Sequence, residues 1–208
     1  MLVCMQSVTK NAIRRLVAHQ QNGHGSVSTK PAFTVLFMCG LSAQVRKMDI
    51  KVRPARKADA DAISRVVLAA LRTSNARDYP VSVIERVQLS FSPSAIERLM
   101  QQRRMFVAVA VAVAVAVAVA GEVVVGTASL EGQVVRSVFV DPDWHRRGVG
   151  RLLMAKLERV ALEIDIGLLI VPSSLTAQEF YKALGFRLVR EHQEGEERTL
   201  IMERQLRT

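Results

Sequence analysis

Val138-Phe139-Val140-Asp141-Pro142-Asp143-Trp144-His145-Arg146-Arg147-Gly148-Val149-Gly150-Arg151 carries the reading of this 208-residue chain. Its first residues continue an apolar strand that starts at Val134, and its last ones lead straight into a helix. That helix places Leu153, Leu157, Val160, Ala161 and Ile164 on one face, with Lys156, Arg159 and Glu163 opposite. A strand, a basic glycine-bearing turn and a helix start make an anion site. Unpaired N–H groups converge there, the helix dipole is positive, and glycine lets a phosphate approach the backbone. Arg146, Arg147 and Arg151 add fixed positive charge, and pyrophosphate is the natural guest. The turn is neither a P-loop, which needs Gly-Lys-Ser/Thr, nor a complete Rossmann fingerprint. On these residues alone, a glycine-bearing loop with a solvated charge cluster remains the plainer alternative.

Composition narrows the partners. Half of the residues are hydrophobic and 23% are charged, so the chain can bury a core and is not disordered overall. The formal net charge of +10, evenly spread, would suggest a nucleic-acid or anionic-membrane partner. It is not evenly spread. Residues 1–48 hold six basic residues (Lys10, Arg14, Arg15, Lys30, Arg46 and Lys47) and no Asp or Glu, which leaves +4 on the remainder. That balance suits an enzyme handling an anionic cofactor. Aromatics are only 5%, too few for the stacking platforms of single-strand nucleic-acid binders. Cys4 and Cys39 both precede residue 48, so disulfides and thiolate metal sites are excluded after it. A reducing, cytoplasmic compartment fits.

Two stretches stand apart. Met1–Lys47 lacks periodicity, mixes Gly, Ser and Gln, and contains an uncharged run from Pro31 to Val45. It has some features of a secretory signal and, in its acid-free, Arg- and Ser-containing start, of a transit peptide. The favoured expectation is a poorly ordered leader ahead of a true start at Met48, because Asp49-Ile50-Lys51-Val52 opens a patterned strand at once. Val107–Ala120 is seven Val-Ala pairs. Period-two alternation predicts a strand with every Val on one face and every Ala on the other. Fully extended it would span about 46 Å, far beyond the usual strand, so a native strand lengthened by a simple repeat is expected. The seventeen residues from Met105 to Gly121 fall short of the roughly 20 that a membrane helix needs.

The other elements follow from capping and periodicity. Asp59 or Asp61 caps a helix whose Ile63, Val66, Val67, Ala70 and Leu71 share one face. Asn75–Ser90 reads as a linker. Ser92-Pro93 starts a second helix that ends near Arg103-Arg104. Phe106 into the repeat, Glu122–Leu130 and Val134–Val140 read as three consecutive strands, with turns at Gly121-Glu122 and Glu131-Gly132-Gln133. Leu168-Leu169-Ile170-Val171 is a further short strand.

The strand, Asp-Pro and basic glycine turn, followed by Leu152-Leu153, resemble motif A of the GNAT superfamily of acetyl-CoA-dependent N-acetyltransferases. Gly148 and Gly150 match that turn, and His145 stands where Gln or Arg is usual. Ser174-Leu175-Thr176-Ala177-Gln178-Glu179-Phe180-Tyr181-Lys182-Ala183-Leu184-Gly185-Phe186 is similar to the family's Asn-x-x-Ala-x-x-Phe-Tyr-x-x-x-Gly-Phe segment, with Ser174 in place of Asn. The resemblance spans about residues 48–206 and implies a GNAT domain over 48–208. Its implied fold is α+β: a three-layer αβα arrangement around a mixed, mostly antiparallel sheet flanked by helices. It also implies acetyl transfer to a primary amine, small molecule or peptide, by direct attack in a ternary complex, with no nucleic-acid or membrane partner and a homodimer left open.

Residue by residue, the resemblance implies that Val138, Phe139 and Val140 pair with the pantetheine arm of acetyl-CoA. Arg146, Arg147, Gly148, Val149, Gly150 and Arg151 would cradle the pyrophosphate, and Ser174 belongs to the same cofactor site. A backbone N–H near Val140 would receive the oxyanion, and Tyr181 would act as general acid toward the leaving thiolate. A free thiol titrates near pH 8.5 and tyrosine near 10, so full proton transfer is uphill by roughly 2 kcal/mol. Tyr181 then needs nearby positive charge, or it only donates a hydrogen bond to sulfur. No base is evident. Glu122, Glu131 and Asp141 are candidates by strand location alone, a solvated surface charge being the favoured reading of each, and a water chain is the other route. Ser173 and Ser174 lack a His–Asp pair and are expected to cap a helix. His145 and His192 have no metal-ligand spacing, so no metal is expected. The acceptor is expected over Asn75–Ser92, with Tyr79 as its reader. A silent acyl-CoA sensor of the same fold and a leader-driven nucleic-acid binder are the alternatives from other classes.

Overall fold

The computed structural model describes residues 49–112 and 121–206. The expected leader and the second half of the Val-Ala repeat lie outside the described residues. Strands β1 (Asp49–Pro54), β2 (Arg104–Ala112), β3 (Gly121–Glu131), β4 (Val134–Val140), β5 (Leu168–Ser173), β6 (Arg187–Glu194) and β7 (Glu197–Gln205) form one sheet, in the order β1-β2-β3-β4-β5-β7-β6. Every pairing is antiparallel except β4 with β5. Helices α1 (Ala60–Thr73), α2 (Val81–Gln88) and α3 (Pro93–Gln102) precede β2; α4 (Val149–Leu162) joins β4 to β5, and the short α5 (Gln178–Lys182) follows β5. The mixed, mostly antiparallel sheet with flanking helices is the architecture expected from the sequence. Among the described residues no helix is long and apolar enough to cross a membrane.

The alternation that begins at Val107 explains the layering. Val107 and Val109 belong to a core with Ile63, Val66, Val67 and Leu71 of α1, whereas Ala108 and Ala110 face Leu153, Met154 and Leu157 of α4. Both faces are buried. Alternation here separates two apolar side-chain sizes rather than a buried face from a wet one: alanine lets α4 sit close, and valine fills the wider gap under α1. β3 assists, since a Cβ at Gly126 would stand 3.0 Å from Val149 and 3.1 Å from Leu153 of α4.

All five apolar positions expected on the face of α1 are buried. Ser92 caps α3 by accepting from the Ala95 N–H at 3.3 Å, with Pro93 in the first turn. The linker reading of Asn75–Ser90 is corrected: it contains α2, whose Val83, Ile84 and Val87 enter the α1 core with Tyr79 and Phe91. Gly121, expected in a turn, opens β3.

Asp59 precedes α1 but does not cap it with its side chain. Its carboxylate instead accepts the Arg56 N–H at 2.7 Å and both terminal nitrogens of Arg53 at 2.8 and 2.9 Å, while Arg53 Nε donates to Glu122 at 2.9 Å. Hydrogen bonding from Arg53 holds the Asp59 carboxyl below its usual range. A depressed folded-state value means stability present above the unfolded value and lost as pH falls through the folded one. Asp59→Asn is therefore expected to cost about 1–3 kcal/mol at neutral pH, from a charge-assisted, part-buried pair. Urea denaturation should show that penalty shrinking below about pH 4. A penalty independent of pH would contradict the assignment.

Candidate active site

The site is built around a gap in the sheet. β4 and β5 run parallel, but their registered pairing is confined to Val134 and Ile170, with the Ile170 N–H donating to the Gln133 carbonyl at 3.0 Å. Part of the reason lies in β4 itself. Thr127 pairs with Phe139 and Ser129 with Arg136, so Ser137 and Val138 together oppose Ala128. This is a β-bulge, and Ser137 sits at φ 52, a left-handed conformation that a non-glycine residue rarely adopts. The extra residue re-aims Val138–Val140, away from the line that Val134 and Val135 set.

Beyond Val140 the turn is tightly tethered. The Asp141 N–H donates to the Val125 carbonyl at 2.9 Å, and the Asp141 carboxylate accepts from the Asp143 N–H at 3.0 Å. A ring nitrogen of His145 lies 3.1 Å from the Val140 carbonyl, so the residue that departs from the motif closes the turn back onto the strand. Arg146 at φ 60 and Gly148 at φ 80 then reverse the chain, and Gly148 is the N-cap of α4. It offers no side-chain cap, so the first N–H groups of α4 are left for a ligand. A Cβ at Gly148 would meet no atom within 4 Å. Arg146, Arg147 and Arg151 are exposed and form no ion pair among the described residues; Arg147 stacks on the Trp144 ring at 4.9 Å.

The second motif docks onto this helix start. The ring of Phe180 lies 3.0 Å from where a Cβ of Gly150 would stand, so Gly150 is needed for packing between α4 and α5. Tyr181 follows on α5, 2% exposed and edge-on to both Phe180 and Phe186. Burial pushes its hydroxyl pKa up. Ser174 is also buried. Residues 138–140 thus end β4, 146–151 form the turn into α4, 174 follows β5 and 181 lies on α5. The family profile of the acetyltransferase (GNAT) domain matches residues 76–202, more than half of the chain. The chain belongs to the GNAT acetyltransferase family. It is an acyltransferase.

Solved GNAT structures share the architecture. A GCN5-related N-acetyltransferase from Rhodopseudomonas palustris is 23% identical with a TM-score of 0.65, covering 76% of this chain and 98% of that one. The PaiA N-acetyltransferase of Thermoplasma acidophilum, in complex with coenzyme A, is 16% identical with a TM-score of 0.59, covering 76% and 99%. A GNAT acetyltransferase from Staphylococcus aureus Mu50 is 16% identical with a TM-score of 0.58, covering 76% and 100%. At these identities the likeness shows the fold alone. Comparison with curated protein sequences finds no match.

Several expectations about this GNAT domain change in three dimensions. Tyr79 does not present its hydroxyl to an acceptor: it is 5% exposed, donates to the Arg198 carbonyl at 2.7 Å and accepts from the Leu175 N–H at 3.1 Å. It ties the start of α2 to β7 and to the segment after β5. The base candidates all have other partners. Glu122 holds Arg53, Glu131 lies beside Arg103 and Arg136 at the opposite end of β4, and Asp141 caps its own turn. Ser173 and Ser174 do not cap with their side chains; Ser173 Oγ donates to the Ser174 carbonyl at 2.8 Å. Among the described residues no group of three or more His, Cys, Asp or Glu could hold a metal ion. The sequence reading missed the Ser137 bulge and the Phe180–Gly150 contact. Only a helix-start glycine paired with an aromatic thirty residues later hinted at the second.

Proposed function

We propose that this enzyme transfers the acetyl group of acetyl-CoA to a primary amine by direct attack in a ternary complex. The observation that carries the reading is the Gly148-capped start of α4, with three exposed arginines that form no ion pair among the described residues, at the end of a strand split from its neighbour. A pyrophosphate on residues 146–151 would leave the pantetheine arm to run along Val138, Phe139 and Val140 into the gap, past Ser174. That the PaiA neighbour was solved with coenzyme A supports the same ligand here.

The chemistry then needs few groups. The amine nitrogen attacks the thioester carbonyl carbon, and the oxyanion that forms takes a hydrogen bond from backbone N–H near Val140. The C–S bond breaks, the amide remains on the acceptor, and the nitrogen's proton leaves through water. Tyr181 faces the departing sulfur as a neutral donor. Transfer of its proton to a thiolate is already uphill, and burial makes it more so. Its contribution is a hydrogen bond to developing negative charge. The acceptor would be a small-molecule or peptide amine. A domain free of cysteine after residue 48 suits the cytoplasm.

The test is a thermal-shift titration with acetyl-CoA, then an amine panel read by thiol release. Saturable stabilisation and amine-dependent thiol release are expected. Stabilisation without release for any amine would favour an acyl-CoA sensor, and no stabilisation would remove the proposal.

A further inference from the structure

A second cationic site lies at the other end of β4. α3 ends in Gln101-Gln102 and is followed by Arg103-Arg104; β3 ends at Glu131; and Arg136 stands on β4. Arg104 is exposed, but Arg103 turns inward, its side chain 7% exposed, and Arg136 is 13% exposed. The Nε atoms of both approach one and the same oxygen, Glu131 Oε2, at 3.2 and 2.5 Å. Neither contact is aligned as a hydrogen bond, and the two Nε atoms and that oxygen are closed off from solvent.

Charge does not balance there. Two guanidiniums are largely withdrawn from water and share a single carboxylate that is itself 41% exposed. One positive charge is left over, and Arg104 adds another at the rim. Desolvation lowers the pKa of both inward arginines, the mark of charge buried without full compensation. Beside Arg103 is a cavity of about 370 Å³. Gln101, Gln102, Arg103, Arg104 and Glu131 supply its polar wall, while Met100, Leu130 and Ile164 supply an apolar one. An inward guanidinium on the wall of a small concave site, with a second one at the rim, fits a planar or tetrahedral oxyanion.

We propose that this cavity binds a small oxyanion, carboxylate or phosphate, on Arg103, with Arg104 at its rim and Arg136 occupied by the Glu131 carboxylate. The site is separate from the turn at residues 146–151. β4 runs from one to the other, a span of about 20 Å at the usual rise per residue.

Titration calorimetry of the full chain with inorganic phosphate and with succinate tests it, the stronger ligand naming the anion class. Saturable binding is expected, about tenfold weaker in Arg103→Gln and weakened to a smaller degree in Arg104→Gln. Arg146→Gln, which alters the other anion site, should leave it unchanged. Glu131→Gln removes the competing carboxylate and should tighten the anion, a gain that lost packing does not produce. Absence of saturable binding to the wild-type chain overturns the proposal. So does binding that responds to Arg146→Gln but not to Arg103→Gln, or a Glu131→Gln variant that folds and binds no more tightly.

Discussion

Replacing Gly148 by glutamate is expected to weaken acetyl-CoA binding on the order of a hundredfold, from two effects that alanine separates. The residue sits at φ 80, so any side chain there is strained by about 1–2 kcal/mol. Since no atom lies within 4 Å of a Cβ, alanine brings that strain and no clash within the protein. Glutamate brings the strain and also places a carboxylate over the N–H groups of α4, reversing the charge that Arg146, Arg147 and Arg151 provide for a phosphate. Calorimetry with acetyl-CoA should rank wild type, Gly148→Ala and Gly148→Glu in that order, with most of the loss in the last step. Equal affinities for all three would move the pyrophosphate elsewhere.

Tyr181→Phe is expected to lower turnover about a hundredfold while acetyl-CoA affinity changes little. The ring is packed between Phe180 and Phe186, and phenylalanine preserves both edge contacts. Only the hydroxyl is lost. Because burial keeps that hydroxyl protonated, the rate should show no inflection belonging to Tyr181 through the neutral range. Parallel loss of affinity, turnover and melting temperature would mark a tyrosine that serves packing alone. Phe180 offers the contrast: it touches Gly150, so substitutions there should loosen α5 from α4 before they affect any chemical step.

Much of this molecule was legible because its information is local. The faces of α1 and α4 follow from a period of 3.6, and Ser92-Pro93 and the Gly148 turn follow from what caps and left-handed positions require. The second motif, Ser174 to Phe186, was recognisable without knowing what it touches. α2 escaped the reading because eight residues behind Pro80 show too little periodicity alone; Val83, Ile84 and Val87 form a face only once α1, Tyr79 and Phe91 stand beside them. The Val-Ala strand left a different question open. Period two announces two faces, but whether the second meets water or a helix is decided by α4, forty residues on.

The sequence by itself determined the strand, the basic turn, the helix that follows and the family to which they belong. Covalent geometry and side-chain periodicity act within a few residues, and those elements need nothing more. Tertiary structure alone decided that β4 would part from β5 after one registered pair, that Ser137 would take up a bulge, and that Gly150 would make room for Phe180. It also withdrew Tyr79 from any acceptor and gathered Arg103 and Arg136 around one carboxylate. Each of these is a contact between distant positions, and its energy exists only when packing brings both partners together.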